Sequence, residues 1–232
     1  MFACKKRGRC LEQCRTWIAK LLQDLSQRRH DATLRHKLFG FLALYVASLF
    51  GHRPGVVWNT RVCEVEEAES GSRHDSSGYV INVSAPPHPK HFIPDTEPEA
   101  QVKEPGLQLF VTPVEYGWLR SWISIRRKLR PDCDLVFFNT NGGPVNKHTA
   151  FARDAWARMR LTGTPSLTDI RTAVATMARN TQCAEVRQQM SHLMCHDTRT
   201  ADRFYVMQLN VSQLAAMRRT FDLSREAEQP VE

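Results

Sequence analysis

The sequence predicts an α+β protein that is mostly helical, with a small β-hairpin or three-stranded sheet packed on its helices. Apolar residues recur at helical spacing in segments near both ends of the chain. Two short apolar runs, YVINV and LQLFV, are typical of strands and flank a proline-rich stretch. Helices and strands do not alternate regularly along the chain, so the pattern does not favour a doubly wound α/β fold.

The first part of the chain is predicted to form two helices. Apolar residues at helical spacing predict one helix from about Leu11 to Gln27. A second helix follows and ends at Gly51 or Pro54. It contains the apolar run Leu38–Phe50, which is shorter than the roughly 20 residues needed to cross a bilayer. We therefore interpret this run as a buried helix of a protein that does not enter the membrane.

The central part carries the predicted sheet. The acidic and polar composition of Glu64–Ser77 predicts a turn or loop. The alternating, β-branched run Tyr79–Val83 predicts a strand, and Leu107–Val111 predicts its neighbour. The residues between them contain several prolines and acids, which predict a long irregular excursion.

A helix is predicted to begin directly after the second strand. Thr112 and Glu115 have the spacing of a capping box, and Pro113 occupies the first helical position. Trp118 and Trp122 lie four residues apart on this helix, a spacing typical of core packing. The segment LVFFNTNGGPV then predicts a short strand and a turn.

The last part of the chain is predicted to be helical. NKHTAFARDAWARMRL predicts a helix ended by Gly163, and SLTDIRTAVATMARN predicts a helix begun by Ser166 and Asp169. QCAEVRQQMSHLMCH and SQLAAMRRTF predict further helices. The polar residues from Ser224 onward predict a frayed tail.

Composition constrains the partners and the compartment. Lysine and arginine total 32 against 24 acids, a net charge of +8, which favours a polyanionic partner such as nucleic acid. The seven cysteines are scattered without a CxxC pair, which favours reduced thiols inside a cell and not a secreted disulfide framework.

Four residues, in order along the chain, suit phosphodiester chemistry. Arg53 follows the buried helix, Arg171 lies in the first turns of a capped helix, and His196 precedes Tyr205 by nine residues. Guanidinium groups bind the non-bridging oxygens of a phosphate. A histidine adds a hydrogen-bond donor or a proton shuttle. A tyrosine hydroxyl can attack phosphorus and hold a covalent intermediate.

This ordered set resembles the catalytic domain of the tyrosine recombinase, or phage integrase, superfamily. Arg53 matches the first arginine of that family, Arg171 the second, His196 the histidine of the third box and Tyr205 the nucleophile. The segments GHRPGVVWNTRVCEVEEA and MCHDTRTADRFY are most similar to the eukaryotic Crypton-type transposon branch. The resemblance covers roughly Leu34–Phe221.

The resemblance implies an integrase-like domain that breaks and rejoins DNA through a 3′-phosphotyrosine, without a metal or another cofactor. A lysine in the hairpin would protonate the leaving oxygen, and Lys90 is the first choice for it, with Lys103 as the runner-up. The partners implied are double-stranded DNA and further copies of the chain that associate on DNA during synapsis. Neither a membrane nor a small-molecule substrate is expected.

The chain departs from the family pattern in several places. Thr168 stands where the family has the first histidine of its HxxR box, and the excursion lengthens the hairpin. We expect Thr168, Arg126, Arg127 and Lys128 to contact DNA. Three domains are expected. Residues 1–33 would be a helical remnant of a truncated core-binding region, residues 34–223 the catalytic domain, and residues 224–232 a polar tail.

Other interpretations remain open. A metal site could be formed by His192, Cys195 and His196, with Cys183 as a fourth ligand. Cys195 and His196 are adjacent, however, and adjacent side chains on a helix diverge by about 100°. No metal site is therefore predicted. The chain could be a domesticated, inactive module that binds DNA or protein, or a helical scaffold whose basic surface binds acidic partners. As a mobile-element recombinase it is expected in the nucleus if the source is eukaryotic and otherwise in the cytoplasm, and not secreted.

Overall fold

The computed structural model describes residues 4–52, 54–71, 77–84, 107–145, 148–181 and 211–226. Within these ranges the chain is mostly helical and forms a two-stranded antiparallel sheet, so the predicted α+β class with a small hairpin is confirmed. The elements are α1 (Cys4–Gln27), α2 (Ala32–Phe50), α3 (Pro54–Asn59), α4 (Val62–Gly71), β1 (Tyr79–Val83), β2 (Leu107–Val111), α5 (Pro113–Leu129), α6 (His148–Arg158), α7 (Leu167–Thr181) and α8 (Val211–Glu226).

Helix α2 is the centre of the core. It packs against α1, α6 and α7, and most of its side chains are buried, as the apolar run predicted. The carboxylate of Asp31 caps its first turn by accepting from the Leu34 amide at 3.0 Å. Gly51, with φ of 68°, ends it in the left-handed conformation that glycine adopts most easily. Gly40 lies so close to the Phe151 carbonyl of α6 that a Cβ there would overlap it.

Helix α1 begins at Cys4, earlier than the predicted Leu11, and shares the core of α2. Its Trp17 ring stacks on Phe41 with centroids 5.3 Å apart. The Arg7 guanidinium donates to the carbonyls of Ser48 and Leu49 at 2.6 and 2.8 Å. These carbonyls lie in the last turn of α2, where intrahelical donors are missing, so Arg7 closes that helix end.

The prediction of a loop over Glu64–Ser77 is wrong for its first part, because Val62–Gly71 forms α4. The Glu64 carboxylate accepts from the Arg61 amide at 2.8 Å, which caps the helix start. Val65 and Ala68 are buried on the inner face. The acids that made the segment look like a loop therefore lie on the outer face and the first turn of an amphipathic helix.

Over the described residues the sheet has two strands and not the three of the alternative prediction. Tyr79 pairs with Val111 and Val83 with Leu107 in an antiparallel register. Among the described residues, the segment after α5 contributes one isolated bridge, from Leu135 to Arg61, in place of the predicted strand. The predicted turn follows at Asn139, whose amide donates to the Gly143 carbonyl at 2.8 Å.

The later helices follow the prediction, with shifted ends. The capping box of Thr112 and Glu115 is confirmed at the start of α5. Helix α6 ends at Arg158 and not near Gly163, because the chain turns at Arg160, whose φ is 54°. Helix α8 continues past Ser224 to Glu226, so the predicted tail begins too early. The helix predicted over QCAEVRQQMSHLMCH lies outside the described residues.

In the part of the chain that the structure describes, no helix is both long and apolar enough to cross a membrane. The predicted domain boundary between residues 33 and 34 falls in the first turn of α2, and α1 packs along that helix. The division into three domains stays a prediction.

Candidate functional site

The structure describes Arg171 among the predicted catalytic residues. The other predicted catalytic residues lie outside the described ranges: Arg53, Lys90, His196 and Tyr205. The alternative lysine, Lys103, also lies outside them. So do the remaining residues considered as metal ligands, Cys183, His192 and Cys195. Their convergence on one phosphate therefore stays a prediction. The described residues include the scaffold around Arg171 and the predicted DNA-binding residues.

A reciprocal cap organises the start of α7. The Asp169 amide donates to the Ser166 hydroxyl at 3.1 Å, and the Ser166 amide donates to the Asp169 carboxylate at 2.8 Å. The Ser166 amide and hydroxyl both donate to the Asp169 carboxylate, and these two bonds lower the pKa of Asp169 below its ordinary value. The predicted capping residues are thus confirmed, and they fix the conformation of the first turn of α7.

Thr168 and Arg171 lie three residues apart in the first turns of α7, so they project from one face of the helix. Thr168 is exposed and Arg171 is half-buried. The N-terminal turns of a helix favour anions, because their amide groups point outward and the helix dipole is positive there. The positive helix end and the Arg171 guanidinium favour a negatively charged group, and the Asp169 carboxylate of the capping box is one such group in the first turn.

Helix α7 lies beside the C-terminal end of α2. Its Ile170 and Val174 side chains are fully buried. The Arg7 guanidinium, which holds the last carbonyls of α2, also contacts the Met177 sulfur at 3.3 Å. Arg7 thus links the Met177 turn of α7 to the last turn of α2, the helix that precedes Arg53 in the sequence.

The basic residues at the end of α5 have different environments. Arg126 is only 7% exposed, and its guanidinium donates to the carbonyls of Leu135, at 2.8 Å, and Cys133. It also lies over the Phe138 ring. Arg126 therefore holds the segment after α5, and the structure does not favour the predicted DNA contact there. Arg127 and Lys128 are exposed, as that prediction requires.

Arg127 forms an ion pair with Glu66 of α4. Because both side chains are about half exposed, this pair is weak and can exchange for another anion. DNA contact by Arg127, Lys128 and Thr168 stays a prediction.

A buried polar cluster, which the sequence analysis did not identify, attaches α8 to the core. Arg218 of α8 donates to Glu115 at 2.8 Å, and the Tyr45 hydroxyl donates to the same carboxylate. Arg15 donates to the Tyr45 oxygen at 3.0 Å, and Asp222 accepts from Arg218 at 3.1 Å. Glu115 was identified from the sequence as a capping residue alone, and its second role depends on long-range contacts.

The protonation states in this cluster follow from burial and charge. Burial favours the neutral carboxyl of Glu115, but the Arg218 guanidinium and the bonds from Tyr45 and Thr112 outweigh it and lower the pKa of Glu115. Burial, together with the Glu115 charge, raises the pKa of Tyr45. The cluster therefore contains a carboxylate, a guanidinium and a neutral phenol.

Comparison with known proteins adds little to these observations. No family model matches the sequence, and no curated protein matches it. The chain is similar to a crystal structure of XerA recombinase, at 14% identity and a TM-score of 0.47, over 93% of this chain and 65% of that chain. A likeness of this degree does not establish the role of any residue in this chain.

Proposed function

We propose that the chain breaks and rejoins DNA strands as a tyrosine-recombinase-type enzyme, with Tyr205 as the nucleophile. The observation that carries the proposal is the position of Arg171. It shares one face of the capped start of α7 with Thr168, and α7 packs beside the end of α2, the helix that precedes Arg53. Arg171 therefore lies on a helix that neighbours the one preceding Arg53 in the sequence, which supports the proposal that the two arginines act together.

In the proposed reaction, Arg53 and Arg171 bind the non-bridging oxygens of the scissile phosphate and stabilise the charge that develops on them. The Tyr205 oxygen bonds to phosphorus, the bond to the 5′ oxygen breaks, and a 3′-phosphotyrosine remains. His196 donates to the phosphate or carries away the phenol proton. Lys90, or Lys103 in its place, gives a proton to the departing 5′ oxygen. A second 5′-hydroxyl end reverses the step.

Several finer features belong to the same proposal. The substrate is double-stranded DNA, and copies of the chain associate on it to bring two duplexes together. The net charge of +8 supports a polyanionic substrate. The gene derives from a mobile element of the Crypton type, and the protein acts in the nucleus if its source is eukaryotic. The chemistry uses side-chain cations and requires no cofactor.

A nicked suicide duplex tests the proposal. After cleavage the short strand diffuses away, so an active protein accumulates as a covalent adduct that survives denaturation. We expect the adduct to disappear in Tyr205→Phe and to persist in the matched control Tyr79→Phe, which removes a hydroxyl from the β-hairpin. No adduct on any tested duplex, together with salt-sensitive binding, would refute cleavage.

The second candidate is a DNA-binding or protein-interaction module that has lost cleavage. Thr168 favours it, because the threonine hydroxyl is a smaller donor than a histidine ring and cannot titrate. The same adduct assay separates the two candidates, since the module binds the duplex but forms no covalent bond to it.

A further inference from the structure

A groove with a volume of about 540 Å³ lies between the C-terminal half of α1 and one face of α5. Its lining combines charged and serine side chains with the aliphatic side chains of Leu22 and Ile125. Arg120, Ser124 and Lys128 recur every four residues along α5 and therefore form a row on one face. Ser26 and Arg29 face this row from α1 and the residues that follow it. The groove is thus a place where three cations come together, while the Ser26 hydroxyl donates to the Gln23 carbonyl of its own helix.

The charged side chains that line the groove are all positive. Within the described part of the chain, neither a carboxylate nor an aromatic side chain lines it. Arg120 pairs at 2.7 Å with Glu69 of α4, and both side chains are about half exposed, so the pair is worth little and is exchangeable. Three cations along one groove repel one another, and a bound anion would relieve that repulsion.

Helix electrostatics does not account for this arrangement. A cation near the C-terminal end of a helix is favourable, which explains Lys128 in the last turn of α5. The effect falls off within one turn, so it does not explain Arg120 in the middle of α5. Nor does it explain why Arg29, which belongs to another part of the chain, faces the same groove.

The groove also has the size and chemistry of a phosphate site. Its volume lies within the range of about 300–1,000 Å³ that is typical of small-ligand sites. Arg120 and Lys128 are eight residues apart, which is about 12 Å along a helix, so they can contact separate phosphate groups. Guanidinium, ammonium and hydroxyl groups are the usual donors to phosphate oxygens. Because no aromatic side chain lines the described groove, it has no platform for stacking bases.

We propose that the groove between α1 and α5 is a phosphate-binding site, in which Arg29, Arg120 and Lys128 bind phosphate oxygens independently of base sequence. The phosphates belong to the backbone of duplex DNA or to a small polyphosphate. The site lies on α1 and α5, whereas Arg171 lies on α7, which packs against α2. It therefore needs neither Arg171 nor Tyr205, and it goes beyond the proposed strand exchange.

Two charge-matched triple variants test the site, both in a Tyr205→Phe background so that no covalent adduct forms. The groove variant is Arg29→Gln, Arg120→Gln and Lys128→Gln. The control variant is Arg9→Gln, Arg153→Gln and Arg219→Gln, which removes three exposed charges elsewhere. The probes are a labelled duplex of about 20 base pairs, titrated at several salt concentrations, and inorganic tripolyphosphate measured by calorimetry.

We expect the groove variant to lose at least about 10-fold more affinity than the control, for one probe or both. If the duplex occupies the groove, the slope of log K against log salt falls by about 2 to 3, since each lost phosphate contact removes about 0.9. A loss confined to tripolyphosphate identifies a small phosphorylated ligand as the occupant. A charge-preserving variant, with Arg29→Lys, Arg120→Lys and Lys128→Arg, is expected to retain most of the binding.

Equal losses in the groove and control variants would overturn the proposal, because they would reflect net charge alone. Unchanged affinity of the groove variant for both probes would also overturn it. A loss in the charge-preserving variant as large as that in the groove variant would show a structural defect and count against the site. These outcomes are independent of the adduct assay, which reports Tyr205, so either proposal can fail without the other.

Discussion

Arg218 of α8 donates to Glu115 of α5 across 2.8 Å, and the side chains of both residues are only 5% exposed. The two residues are far apart in sequence, so this ion pair attaches the last described helix to the core. Tyr45 of α2 donates to the same carboxylate, which joins three helices at one point. Because the charges are buried, each depends on the other to offset its loss of hydration.

Glu115→Gln is expected to lower the free energy of unfolding by about 3–5 kcal/mol, because it removes the buried anion of Arg218 and leaves that charge only the more exposed Asp222. The measurement is urea unfolding followed by circular dichroism. The matched control is Glu66→Gln, which breaks the exposed pair with Arg127 and should change stability by about 1 kcal/mol or less. Equal effects of the two variants would contradict a stabilising role for the buried pair.

The same carboxylate predicts a pH dependence. The folded pKa of Glu115 is lowered, so its contribution to stability is fully present above the ordinary glutamate pKa of about 4.3 and is lost as the pH falls through the folded value. Unfolding measured between neutral and acid pH should therefore show a decline that is shallower in Glu115→Gln. Parallel curves for the two proteins would exclude Glu115 as a source of the decline.

Gly40 and Gly117 give opposite predictions for the same substitution. Gly40→Ala places a methyl group against the Phe151 carbonyl and should destabilise the protein by about 1–3 kcal/mol. Gly117→Ala meets nothing within 4 Å and should stabilise α5 by up to about 1 kcal/mol. Thermal unfolding of the two variants checks both signs. A stable Gly40→Ala protein would show that α2 and α6 do not pack this closely.

Arg171→Gln tests the proposed catalytic role directly. If Arg171 stabilises the charge on the scissile phosphate, the rate of adduct formation on the suicide duplex should fall by about 100-fold or more. The control is Arg153→Gln, an exposed arginine on α6, which should leave the rate unchanged. Duplex affinity should change little in either variant, so a loss of binding equal to the loss of rate would argue against a transition-state role.

The elements that the sequence predicted correctly are those that depend on interactions between residues close together in the chain. The apolar run of α2, the capping boxes at Thr112 and Ser166, and the two strands all depend on residues close together in sequence. For these elements the spacing of apolar side chains and the reach of a capping oxygen determine the structure. The ordered set from Arg53 to Tyr205 stays a prediction from the sequence, and Arg171 is the member that the structure describes.

The features that the sequence did not predict depend on contacts between residues far apart in the chain. Glu66 and Glu69 made α4 look like a loop, but they pair with arginines of α5 while Val65 enters the core. Arg126 and Arg127 are adjacent in the sequence, yet one is buried against carbonyl groups and the other is exposed.

Glu115 likewise acts as a cap through its own turn and as a buried anion through Arg218. A charged side chain has no intrinsic preference strong enough to fix its partner. Its role therefore depends on which helix packs against it, which neighbouring residues in the sequence do not specify.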